Sequence, residues 1–157
     1  MLRQVCAFWE DAPEADGFVR VTRMHHQPEK LDAAMLAAGA VVTLPKTPKP
    51  RKGWTVALWV HPGDAVAEWR VEMDEDYRMS AAEFLLQIPV QTRIQARAGA
   101  AGGDAVLQDF LDMIDRMIAD NANMGLHPGS LAAKVALAYL VEKGWMTEED
   151  AAAITEP

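Results

Sequence analysis

From Ala105 to Asp120, apolar residues recur at intervals of three and four: Val106, Leu107, Phe110, Leu111, Ile114, Met117 and Ile118. That period places them on one side of a helix, with Asp109, Asp112, Asp115 and Arg116 on the side suited to water. Asp104, after Gly102 and Gly103, supplies the N-cap. The run from Asn121 to Gly125 supplies the stop, because Asn and Gly tolerate the left-handed backbone that ends helices. A second helix from about Pro128 carries Leu131, Val135, Leu137, Ala138, Leu140 and Val141, a surface broad enough to predict that it is largely buried. Gly144 sits where a C-terminal cap belongs, with Trp145 placed to fold back on the last turn. Thr147 then opens Thr-Glu-Glu-Asp, a capping-box variant. The acidic first turn Glu148, Glu149 and Asp150 suits the positive end of a third short helix.

Upstream the period changes to two. Trp54–Val60 and Val66–Met73 flank His61-Pro-Gly-Asp-Ala, which predicts a hairpin. In the second strand Glu68, Arg70 and Glu72 alternate with Ala67, Trp69, Val71 and Met73, the pattern of a sheet wet on one face. The first strand is apolar on both faces, so it is expected to be the more central. Ser80-Ala-Ala-Glu83 is a full capping-box signal for a short helix through Phe84, Leu85 and Ile88, which Pro89 interrupts. Another helix runs from Val90 to about Ala101, carrying Ile94 and two exposed arginines.

Toward the N-terminus, Gln4–Trp9 and Gly17–Met24 have the β-branched and aromatic content of short strands. Pro28 suits the first turn of a helix through Leu31, Met35 and Leu36 to Gly39, and Val41, Val42 and Leu44 add a further strand. Pro45-Lys-Thr-Pro-Lys-Pro-Arg-Lys cannot be helical and is read as an extended connector over residues 45–52, with a PxxP ligand as the sharper alternative. The expected class is α+β: a small antiparallel sheet with one or two helices, followed by an all-helical C-terminal part. The expected organisation is an α/β module over residues 1–79, with its hairpin at 54–73, and a helical module over 80–157.

Half of the 157 residues are hydrophobic, enough to bury a core as one domain or two small modules. No run approaches the ~20 apolar residues that span a bilayer, and the N-terminus lacks a signal-peptide core, so a soluble protein made in the cytoplasm is expected. The formal charge is −8, unevenly spread: Met1–Lys52 has eight Lys and Arg against six Asp and Glu, and Gly53–Pro157 has seven against seventeen. Such a balance repels phosphate backbones and makes nucleic acid a poor partner. A helix-turn-helix order does occur around Gly144. Its second helix carries Glu148, Glu149, Asp150 and Glu156 and no basic residue, so packing explains it better than a major groove does.

Candidate chemistry is sparse. A single cysteine, Cys6, excludes an internal disulfide, and its apolar strand position predicts a small buried side chain rather than a nucleophile. His25 and His26 are strand neighbours that point to opposite faces and cannot easily hold one metal. Asp109, Asp112 and Asp115 share a helix face that suits a hard cation, yet such rows are more often simply hydrated. Ser80 and Ser130 lie at helix starts and outside any Gly-x-Ser-x-Gly turn, and His127 precedes a Pro-Gly helix entry. Gly99, Gly102 and Gly103 lack the Lys-Ser/Thr ending of a phosphate loop. No catalytic, cofactor or metal residues are therefore assigned. Partner binding has better support: Trp54, Trp59 and Trp69 cluster on the hairpin, and exposed aromatic rings are favoured interface anchors. The alternative is that all three fill the sheet–helix core.

Several segments, GWTVALWVHPG with EWRVEM, EFLLQIPVQTRIQARAGA, AVLQDFLDMID and HPGSLAAKVALAYLVEKGWMTEEDAAAI, resemble small proteins encoded beside tail-fibre genes of tailed bacteriophages and prophages. The resemblance covers roughly the last two thirds and departs from the pattern at Val90-Gln91-Thr92. It implies a non-enzymatic tail assembly factor or minor tail component, located in the host cytoplasm or on the virion. Its expected partner is a phage tail protein or a second copy of itself, with no chemistry to transfer. Two competing readings stand beside it: a metal-dependent hydrolase using His25, His26 and acidic residues, and a cytosolic regulator that binds a host protein or peptide.

Overall fold

The computed structural model describes residues 3–120 and 125–157. The chain forms two compact units, Met1–Glu72 and Met73–Pro157, each with its own apolar core. The class is α+β, with all strands in antiparallel sheets and all long helices toward the C-terminus.

The first unit contains two three-stranded sheets rather than one. In the first, β1 (Arg3–Phe8) lies between β3 (Arg23–His25) and β4 (Ala40–Leu44). Cys6 faces His25 across one ladder and Val41 across the other. In the second, β5 (Trp54–His61) lies between β2 (Val19–Arg20) and β6 (Val66–Met73), the central position that its apolar character on both faces demands. The segment Gly17–Met24 is not one strand. It pairs Val19 and Arg20 with β5, and at Val21 and Thr22 the chain crosses over: the Val21 N–H donates to the Leu58 carbonyl, and Thr22 donates to the Phe8 carbonyl. It then joins β1 as β3. Val5, Ala7 and Val42 from one sheet and Val19, Leu58 and Val60 from the other form a shared core.

Residues Pro28–Gly39 also break where a single helix is expected. Pro28–Lys30 makes a 3-10 turn, Leu31 is extended, and Asp32 starts a separate helix, α1 (Ala33–Ala37), by accepting a hydrogen bond from the Met35 N–H at 2.8 Å. An N-cap residue takes extended dihedrals, so a capping Asp inside an apolar run divides the helix. Gly39 then lets the chain close on β1: a Cβ there would stand 2.6 Å from the Ala7 carbonyl oxygen.

The second unit is helical. Ser80 and Glu83 form the complete reciprocal capping box of α2 (Ala81–Gln87), and Pro89 separates it from α3 (Val90–Ala101). Asp104 caps α4 (Ala105–Ala119) through the Val106 and Leu107 N–H groups. The expected stop of this helix at Asn121–Gly125 falls mostly on residues 121–124, outside the described residues. Ser130 caps α5 (Leu131–Glu142), which begins three residues after Pro128, and Thr147 caps α6 (Glu148–Thr155). Gly144, at φ +72°, ends α5 in a Schellman turn: its N–H donates to the Val141 carbonyl and that of Trp145 to the Leu140 carbonyl. Phe84, Leu107, Ile114, Leu137 and Leu140 are the largest fully buried side chains of this core. Tyr77 packs against it, and Met79 belongs to it and pairs with Leu126, so the segment before Ser80 belongs with the helices.

Candidate functional site

The three hairpin tryptophans have different environments. Trp59 is only 9% exposed; its indole N–H donates to Glu72 at 2.9 Å, and the Arg70 guanidinium lies 4.4 Å from its ring centroid. Trp69 packs against the core of the first unit and donates to the Pro45 carbonyl, which fixes the start of the connector. Trp54 is half-buried, with Arg51 at 5.8 Å from its ring. Trp59 is therefore buried, whereas Trp54 and Trp69 keep part of their surface accessible.

Their surroundings form a densely connected polar cluster. Arg70 donates to Glu68 and Asp16, both at 2.6 Å, and to Glu14 at 3.3 Å, and it stacks on Phe18 as well as Trp59. The Arg20–Glu72 pair at 3.1 Å lies beside it. A turn bond from the Phe18 N–H, and then Arg70, hold the Asp16 carboxyl below the usual carboxylate range. The strand face carrying Glu68, Arg70 and Glu72, expected to be wet, is therefore half-covered, whereas Val71 and Met73 on the opposite face are exposed. The arginine is fully engaged by carboxylates and rings of its own unit, so the cluster reads as a brace between Glu14–Phe18 and the hairpin.

His25 is half-buried on β3, with Nδ1 at 3.1 and 3.3 Å from the backbone O and N of Gln27, and His26 is exposed. Among the described residues, no group of three or more His, Cys, Asp and Glu is placed to hold a metal ion. Asp109, Asp112 and Asp115 are exposed, and the cation that reaches the row is Arg97 of α3, 3.7 Å from Asp115. Cys6 is buried, which pushes its thiol pKa up and keeps it protonated. Buried His127 organises the entry to α5: its Nδ1 accepts the Gly129 N–H at 2.9 Å, and its ring meets Tyr77 edge-on. Ser80 and Ser130 serve as caps.

The helical unit offers a different surface. α5 is not largely buried as expected: only Ala133, Leu137 and Leu140 are, while Leu131 is 79% and Val135 60% exposed. The α4 stripe is likewise fully buried only at Leu107, Leu111 and Ile114, with Phe110 and Met117 half-buried, leaving Val106 52% exposed and Ile118 open, as is Met113 beside it. Val106, Phe110, Met113, Leu131, Val135 and Ala136 thus line one apolar groove between α4 and α5, of about 580 Å³. A second, smaller cavity of about 240 Å³ lies among α2, α3, α4 and α5 and includes Arg93 and Arg97 in its wall. Sequence periodicity identified Val106, Phe110, Leu131 and Val135 but not Met113, and it gave no sign that they stay open; Arg93, expected to be exposed, is half-buried with its Nε buried.

No helix of the described residues is long and apolar enough to cross a membrane. The chain matches no protein-family model, no curated protein and no solved structure.

Proposed function

We propose that the protein is a non-enzymatic phage or prophage protein that works through protein contacts, as a tail assembly factor or minor tail component. The observation that carries this reading is the open apolar groove between α4 and α5, with Leu131, Val135 and Val106 at its edges. Contiguous exposed apolar surface of this kind marks an interaction site rather than ordinary surface scatter. An amphipathic helix of a tail protein, laying anchors spaced at i, i+3 and i+4 into the groove, is the occupant that suits an apolar groove walled by two helices.

Charge favours a different protein over a second copy. Residues 73–157 carry six Lys and Arg against fourteen Asp and Glu, a net −8, so groove-to-groove pairing of two helical units brings like fields together. The tail context comes from the resemblance of the segments between Gly53 and Ile154. Deleting the gene from a producing phage and inspecting the particles by electron microscopy tests it. Missing or malformed tail parts are expected; normal, infectious particles in normal yield contradict the proposal.

A further inference from the structure

We infer that the cavity among α2, α3, α4 and α5 is a binding site for a medium-length aliphatic carboxylate. Leu85, Ile88, Phe110, Leu111 and Leu140 give it an apolar wall, and Arg93 adds a single kind of polar group, a guanidinium. The Arg93 Nε is buried with no hydrogen-bond partner, and among the described residues no ion pair involves Arg93. A buried charged donor left without an acceptor is costly, and a ligand that supplies the acceptor recovers that cost as affinity.

The chemistry of the occupant follows from these two features. Apolar walls select a hydrocarbon chain, and the unpaired N–H of a guanidinium selects a planar oxyanion that it can meet with charge-assisted hydrogen bonds. Arg97, which makes an exposed 3.7 Å contact to Asp115, lies one helical turn further along the same wall and strengthens the local preference for an anion within a net-acidic unit. A volume of about 240 Å³ lies just under the roughly 300–1,000 Å³ of ordinary small-molecule pockets, which favours a short to medium hydrocarbon chain over a long one. Exposed Val90 and Ile94 border the cavity, where the chain would enter. The site is separate from the α4/α5 groove, with which it shares only Phe110.

Isothermal titration of the full chain with octanoate and with 1-octanol tests the inference. Octanoate is expected to saturate one site, with 1-octanol binding about ten-fold more weakly or worse, because the alcohol cannot pair with a guanidinium. In Arg93→Gln the preference for octanoate over 1-octanol is expected to shrink to the smaller contribution of Arg97, and Ile94→Trp, at an exposed position, is expected to obstruct both. Absence of saturable octanoate binding, or equal binding of acid and alcohol to the unaltered protein, overturns the inference. The second comparison needs no variant to fold.

Discussion

At the residue scale, single side chains close gaps that the elements leave open. His127 holds the turn into α5 through the Gly129 N–H, which is buried with it. His127→Ala leaves that donor unsatisfied and is expected to cost about 1–3 kcal/mol, measured by urea unfolding, whereas His127→Asn restores an acceptor and is expected to recover part of the loss. An unchanged midpoint in the alanine variant would remove His127 from this role. Gly99 is set by packing rather than by backbone angle: a Cβ would stand 2.7 Å from Leu107 Cδ1 and 2.8 Å from Trp145 Cη2. The helix-propensity gain of Gly99→Ala, about 1 kcal/mol, opposes an overpacking cost of about 1–3 kcal/mol. Net destabilisation is expected, and a rise in stability would show that the indole yields. The place of His127 before Pro-Gly already pointed to helix entry, whereas the packing of Gly99 was not legible, because a glycine inside a helix looks the same whatever touches it.

Among the elements, local signals were read well and long-range ones poorly. The caps at Ser80, Asp104 and Thr147 and the stop at Gly144 are set by residues within about one turn, so sequence spacing alone found them. The division of Gly17–Met24 between two sheets and the cover over Arg70 depend on partners such as Asp16, Phe18 and Leu58, distant in sequence from what they meet. Periodicity likewise identifies an apolar stripe without saying how much of it is covered, which is why Val106, Leu131 and Val135 were misplaced. Asp104 also illustrates a cap extended by tertiary contacts: Tyr139 donates to it at 2.8 Å and Lys143 lies at 3.3 Å, joining the C-terminal turn of α5 to the start of α4. The Tyr139 bond first, then the Leu107 N–H and Lys143, depress its pKa. A depressed carboxyl stabilises the fold fully above its unfolded value, near 3.9, and loses that contribution as pH falls through the folded value. Asp104→Asn is therefore expected to lower the thermal midpoint near neutral pH and to narrow its fall below about pH 4; a parallel pH profile in the variant would refute the linkage.

For the molecule as a whole, charge and apolar surface are distributed unequally. The first unit is balanced, with nine Lys and Arg against nine Asp and Glu over residues 1–72, while the second carries the entire net −8. Self-repulsion of that kind is screened by salt, so the thermal midpoint is expected to rise between about 10 and 200 mM sodium chloride, where the Debye length shrinks from ~30 Å to below 10 Å. A fall would mean that the ion pairs around Arg70 and Asp104 outweigh it. The same acidic unit exposes the α4/α5 groove, and on that groove the proposed docking role depends.

The most direct measurement of that role is complementation of the gene deletion with Leu131→Asp/Val135→Asp. Both positions are exposed, so circular dichroism and the thermal midpoint of the purified variant are expected to stay close to those of the unaltered chain. The account predicts that this folded variant fails to restore infectious particles where the unaltered gene succeeds. Full restoration of particle yield by the variant would contradict it.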